Sequence, residues 1–314
     1  MVQETKVILE NTPINIEKYI IRNAGGRSGS KKKGTRVLFL GAIHGDEPCG
    51  PAAIRTLVEK FSTGKLRVLK GSIICVPVCN PKAFALGVRY CDENLNRIFK
   101  HHADPQTYEA RIADELTSLV DQCDVLIDFH STSAPSVPFV FLDYRSKANR
   151  QLAAATGISN IVTGWIELYK KLGKINPQRP TYDTGYYAHK KGKMALTIEC
   201  GENQSVSSER AAYRSAVNVL RYFGVIKGGT RVAQALAQRQ QRQKALRLYR
   251  VYFKDSVGDV LVKRWKNLEP VSRGQVIARR ASGAVIYAFY DGCVVMPKHN
   301  ASIGEEWFYL AKSE

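Results

Sequence analysis

His44 and Glu47, in the stretch FLGAIHGDEPCG at residues 39 to 50, stand three apart just beyond an apolar run, in a chain of 314 residues with only six histidines. A catalytic zinc takes three protein ligands from nitrogen, sulfur or carboxylate donors and keeps a fourth position for water. His44 and Glu47 supply two of the three. The stretch DVLIDFHST offers the third, because His130 closes an apolar run just as His44 does. A histidine and a glutamate three apart recur by chance in many chains, so the second strand-end histidine is what gives the pair weight.

Metal-assisted hydrolysis also needs a base. Glu199, in ALTIECGEN, lies near the end of another apolar run, where a carboxylate is costly unless it faces a site. The competing reading pairs it structurally with a nearby Lys or Arg. Glu202 is its neighbour but falls past Gly201. In VRYCDENLNRIF, Arg89, Asn96 and Arg97 flank a short polar turn. A guanidinium fork with an amide donor beside it suits a carboxylate, which points to an anionic substrate; the bland alternative is two surface arginines and a helix-capping Asn. His101, His102 and His299 read as surface or hydrogen-bonding residues. His189, in YYAHKKGK, stays a candidate.

The elements around these residues explain why they would converge. RVLFLGAI, SIICVPVCN, DVLIDFH and KMALTIECG are apolar runs bounded by turn residues, the pattern of strands buried on both faces. PCGPAAIRTLVEKFS, PQTYEARIADELTSLVDQ, RSKANRQLAAATG and SERAAYRSAVNVLRYFG read as helices, the third closed by Gly157. Strands alternating with helices imply an α/β fold with a mainly parallel or mixed sheet covered on both faces. Ligands of such sheets bind beyond the C-terminal strand ends, where these polar residues recur. Ahead of them, KVILENTPINIEKYIIRN reads as strand, turn and strand, and GGRSGSKKKGT as an exposed, mobile loop. The expected division is residues 1–228 for the catalytic α/β domain and 229–314 for a basic linker or helix followed by a small all-β domain, which begins near Leu246 with short strands between Gly turns.

Composition bounds the rest. An apolar content of 44% affords a full core, and no apolar run approaches the length needed to span a bilayer. The expectation is a soluble, cytoplasmic protein with no membrane partner. Seven cysteines, an odd number without CxxC spacing, read as reduced buried thiols; Cys75 and Cys79 are expected on one strand face. The formal charge of +19 is concentrated in residues 227 to 280, which hold fourteen Lys or Arg against three acids. A nucleic-acid patch is one reading of that segment. A solvated basic surface is preferred, since its few aromatics, Tyr249, Tyr252, Phe253 and Trp265, fall in strand-like patterns.

In order and spacing, GxxHGxE, NLNR, DFHST and IEC together resemble the succinylglutamate desuccinylase and aspartoacylase family of zinc carboxypeptidase-like hydrolases, from about residue 35 to the C-terminus. The resemblance implies one Zn2+ per chain held by His44, Glu47 and His130, with Glu199 as general base and Arg89 polarising the scissile carbonyl. It further implies that Asn96 and Arg97 hold a substrate carboxylate, and that the C-terminal β domain covers the entrance and sends in a tyrosine, Tyr287 or Tyr290. The implied partner is a small anionic N-acyl amino acid, cleaved at its amide bond. One departure stands out: His189 occupies the position of a further substrate-binding Arg, which weighs against N-acetylaspartate. A carboxypeptidase-like or peptide-amide hydrolase remains the rival, and a basic nucleic-acid-binding protein ranks below both. A homo-oligomer is compatible with the sequence.

Overall fold

A computed structural model describes residues 5–11, 14–23, 34–175, 182–228, 238 and 243–314. The glycine, serine and lysine loop and most of the basic linker, as read from the sequence, lie outside the described residues. The chain opens with β1 (Thr5–Asn11), β2 (Glu17–Asn23) and β3 (Arg36–Gly41), followed by α1 (Cys49–Ser62), β4 (Ser72–Val76) and α2 (Pro81–Leu86). A single 3-10 turn, Leu95–Arg97, precedes α3 (Tyr108–Gln122) and β5 (Val125–Thr132). Then come β6 (Phe139–Phe141), α4 (Lys147–Thr156), β7 (Asn160–Thr163), α5 (Trp165–Ile175), α6 (Thr184–Lys190), β8 (Met194–Glu202) and α7 (Val206–Tyr222). From Lys244 onward come β9 (Lys244–Phe253), β10 (Val260–Leu261), β11 (Glu269–Val271), β12 (Val276–Arg279), β13 (Val285–Tyr287), β14 (Gly292–Val295) and β15 (Glu306–Ser313).

Twelve strands form one mixed sheet in the order β1-β2-β4-β3-β5-β8-β6-β7-β9-β15-β14-β11. At its centre β4, β3, β5 and β8 run parallel. Successive residues of β3 feed opposite cores, as the two-residue period of a strand requires. Val37 and Phe39 pack with Ile54, Leu57 and Phe61 of α1 and Leu220 of α7. Leu38 and Leu40 pack with Ile112, Leu116 and Leu119 of α3. The helices are bounded as their sequences suggest: the Thr107 side chain caps α3, the Ser146 side chain caps α4, and Gly157 ends α4 at φ 86°.

The C-terminal β part adds a connection that the sequence did not reveal, and one expectation changes. The all-β C-terminal part does not have a wholly separate sheet, because β9 pairs in parallel with β7 and carries the main sheet onward through β15, β14 and β11. Phe139, Val162 and Tyr169 share a core with Leu248, Val251 and Tyr309 across that join. Among the described residues, β10, β12 and β13 form a second, three-stranded sheet. Cys75 and Cys79 also do not share a face: β4 ends at Val76, so Cys75 joins the α1 side of the sheet and Cys79 the α3 side. All seven cysteines are free thiols, five of them buried.

Candidate active site

Three neighbouring parallel strands deliver the central residues at their C-terminal ends. His44 follows β3 by three residues, His130 lies in the last turn-ward stretch of β5, and Glu199 stands beside His130 in register on β8. The loop carrying His44 and Glu47 is held tightly. A side chain at Gly45 would collide with the backbone of α2, and Gly45 N donates to Arg89 O at 3.1 Å, so the metal-side loop and the arginine loop are locked together. Ala42, just ahead of His44, adopts a left-handed φ of 47°, a strained conformation of the sort that clusters at functional sites.

The side chains of His44, Glu47 and His130 are almost fully buried, and one ligand atom from each lies within 4.8 Å of the others. His44 Nδ1 is 2.9 Å from Glu47 Oε1, and His130 Nδ1 is 2.8 Å from Glu47 Oε2. The outward nitrogens are engaged as well: His44 Nε2 lies 3.2 Å from Asn94 Oδ1 and His130 Nε2 lies 2.9 Å from Asp128 Oδ2. Thr184 Oγ1 donates to the same Asp128 oxygen at 2.7 Å. A carboxylate or amide on the far nitrogen of each imidazole is the usual support for a ligating histidine, so the donor set and its surroundings fit a divalent metal. Burial, with Arg89 adding to it, holds His44 down to about 3, whereas Asp128 and Glu47 raise His130 against the effect of its burial.

Glu199 is 4% exposed, and its Oε2 has no hydrogen-bond partner. Burial pushes its carboxyl well above the usual carboxylate range. Together with His44, His130, Arg89, Asn96 and Arg97 it lines a narrow cavity of ≈ 60 Å³. Arg89 also lines a broader cavity of ≈ 920 Å³, bounded by Lys254, Arg264 and Lys298 of the C-terminal part, so the arginine stands where the two spaces meet.

Sequence reasoning therefore brought six residues to one place: His44, Glu47, His130, Glu199, Arg89 and Asn96. Arg89 Nη1 donates to Glu47 Oε1 at 3.0 Å, and Asn96 Oδ1 accepts from Thr184 N at 3.3 Å. Arg97 also lines the cavity, but its guanidinium already holds a carboxylate. Its Nη2 donates to Glu306 Oε1 at 2.9 Å, while Tyr169 OH donates to that oxygen at 2.7 Å. The expected clamp for a substrate carboxylate is thus occupied by a residue of β15. Neither Tyr287 nor Tyr290 lines either cavity, which corrects the expectation that one of them reaches the site. Tyr287 lies on the separate three-stranded sheet and Tyr290 packs edge-on against Tyr249; both are about half exposed. The C-terminal residue that lines the inner cavity is Met296. His189 stacks on Tyr144 at 3.5 Å between ring centroids and faces a separate surface depression with Lys170 and Lys190.

The other histidines behave as surface and hydrogen-bonding residues: His101 meets Asp114, His102 meets Ile98 O and His299 meets Trp265 O. Missed altogether were Asp128, Asn94 and Glu306, and the walls built by Asp143, Trp165 and Asp183. Asp128 had a signal, a carboxylate two residues before His130 on a buried strand. Glu306 had none.

The profile of the succinylglutamate desuccinylase/aspartoacylase catalytic domain matches residues 33–222. A succinylglutamate desuccinylase from Pseudoalteromonas atlantica is 25% identical, over 87% of this chain and 80% of its own. An N-acyl-aromatic-L-amino acid amidohydrolase (carboxylate-forming) from Rattus norvegicus is 34% identical over 34% of this chain. The chain spans only about a third of the length of such relatives above 30% identity. The crystal structure of a succinylglutamatedesuccinylase/aspartoacylase from Rhodobacter sphaeroides superposes with a TM-score of 0.73 at 18% identity, covering 99% of this chain and 97% of that one, and shares the fold.

Proposed function

Because the chain belongs to the succinylglutamate desuccinylase/aspartoacylase family, with residues 33–222 matching its catalytic domain, we propose that it hydrolyses the amide bond of a small N-acyl amino acid at a zinc centre of the carboxypeptidase-like kind. The observation that carries this reading is that His44 and His130 of a buried His, Glu, His group line one narrow cavity together with a buried carboxylate, Glu199, that has an unpartnered oxygen.

His44, Glu47 and His130 would hold one divalent cation, and two nitrogens with a carboxylate suit zinc. When bound, the ion supplies Lewis acidity for the acyl oxygen and lowers the pKa of water toward neutrality. Glu199 takes the proton from the attacking water as its oxygen bonds to the acyl carbon, and returns it to the departing nitrogen as the carbon–nitrogen bond breaks. One water is consumed, giving a carboxylate and an amine. Burial suits Glu199 to both roles, since a carboxyl with a raised pKa releases its proton to an amine while still accepting one from an acidified water. Arg89, at the junction of the cavities, donates to the acyl oxygen as negative charge grows there. Asn96 orients the amino-acid part, whose α-carboxylate is the anionic group of the substrate. Asp128 fixes the His130 ring from behind.

The narrowness of the inner cavity favours a small substrate over a peptide. Zinc-loaded protein is expected to release primary amine from N-acyl amino acids, and a chelator to abolish the release. Release from C-terminal residues of peptides alone would replace this reading with the carboxypeptidase-like one.

A further inference from the structure

The inner cavity contains charge that hydrolysis does not use. Asp143 and Asp183 both line it, beside His44, His130 and Glu199, along with Phe141, Trp165 and Ile166. The two arginines of the same cavity are already matched: Arg97 by Glu306 at 2.9 Å and Arg89 by Glu47 at 3.0 Å. Among the described residues no Lys or Arg forms an ion pair with Asp143 or Asp183. Their contacts are backbone ones. Asp143 accepts from Trp165 N and Asp183 from Tyr186 N, each at 2.7 Å.

Burial, with Asp183 as a further cause, pushes the Asp143 carboxyl up to about 7, and burial pushes Asp183 up to about 6. Asp143 and Asp183 face a cavity whose two arginines, Arg89 and Arg97, are already paired with Glu47 and Glu306, so an incoming positive group would complete them. That the cavity receives a ligand is indicated independently by Glu199 Oε2, which is buried in its wall without a partner.

We infer that the inner cavity selects N-acyl amino acids whose side chain ends in an ammonium, its methylene stem against Phe141, Trp165 and Ile166 and its charge at Asp143 and Asp183. The inference rests on the hydrolase reading above and names the substrate class within it. An acidic side chain would bring a further negative charge to Asp143 and Asp183 with Arg97 already taken, and an apolar one would give the two carboxyls no cation against which to ionise.

The test compares kcat/KM of the zinc-loaded enzyme for Nα-acetyl derivatives of 2,4-diaminobutyrate, ornithine and lysine with the neutral Nα-acetylnorvaline and Nα-acetylnorleucine and with Nα-acetylaspartate and Nα-acetylglutamate. At least one cationic substrate is expected to exceed its neutral counterpart by about 10-fold or more. Asp143→Asn and Asp183→Asn should bring that ratio close to one, mainly through KM; asparagine still caps a helix, so the backbone contacts survive. Should the variants not fold, calorimetry on the metal-free native protein supplies the readout: L-ornithine is expected to bind more tightly than L-norvaline. Preference for neutral or dicarboxylic substrates, or variants that slow all substrates equally, would overturn this inference and leave the hydrolase standing. No turnover of any N-acyl amino acid with zinc bound would overturn the reading beneath it.

Discussion

The half of the site that carries the His, Glu, His group and the wall opposite it are built in different ways. On the metal side, His44, His130 and Glu199 come from the ends of three adjacent parallel strands, and Glu47 from the loop that follows the first. Their relative positions follow from strand register, so a few local motifs determine the geometry. The wall is assembled from the loop after β6, the starts of α5 and α6, and Arg97, which is held in turn by Glu306 of β15, 209 residues away. A site with a shared reaction and a variable substrate would be expected to divide in this way: chemistry on the sheet ends, selection on the connections.

Glu199→Gln gives the largest expected effect and tests the metal side. Glutamine keeps the shape and one acceptor but cannot carry the proton, so turnover should fall on the order of 10² to 10⁴-fold. Zinc content, measured by atomic absorption, should not change, because Glu199 is not one of the clustered ligands. Full activity would remove Glu199 as the base, and loss of zinc would make it a ligand; either breaks the division between metal side and wall.

The same division explains what the sequence reveals. The strands around HGDE, DFH and IEC are legible because buried runs of Val, Ile, Leu and Phe have few alternatives, and the polar residue ending each run then stands out. The occupied state of Arg97 was not legible. NLNR identifies an arginine suited to a carboxylate, but only tertiary pairing determines whether that carboxylate comes from a substrate or from Glu306. Tyr287 and Tyr290 failed for a related reason: a single-sequence reading finds the β character of the segment, while the split between β13 and the main sheet decides which side chains reach the site. The helices α5 and α6, which frame the acidic wall, were not read at all, although the apolar residues of WIELYKKLGKI recur at helical spacing and made α5 legible.

Glu306→Gln tests the wall and should have a smaller effect. Arg97 and Glu306 are both mostly buried, and removing one charge leaves the other unmatched, a loss of about 3 kcal/mol for buried pairs. Thermal unfolding should move down accordingly. The freed guanidinium should also lower KM for N-acyl dicarboxylates, bringing the wall closer to the clamp that NLNR suggests. An unchanged melting temperature together with an unchanged preference would reduce the Arg97 contact to an incidental one, and the contrast between the two halves would lose its sharpest example.

The smallest effect is expected in the pH dependence of stability, and it too arises in the wall. The Asp143 carboxyl, pushed up to about 7 by burial and then by Asp183, holds its proton in the folded chain over a range where the unfolded chain has lost it. A group with a raised folded pKa contributes stability below its unfolded value, near 4, and that contribution is lost as pH rises through about 7. The parent should therefore lose stability between about pH 4 and 7 from this source. Asp143→Asn cannot ionise, so the difference between variant and parent isolates the residue from the other titrating groups. Asparagine retains an acceptor for Trp165 N, and the variant should melt higher than the parent at pH 8 by about 2 to 4 °C for each kcal/mol of relief, with the gap closing toward pH 5. A gap that stays constant with pH, or a variant less stable at pH 8, would mean that the backbone donors at the start of α5 already compensate the carboxylate. The wall would then have no unmatched charge to offer a cationic side chain.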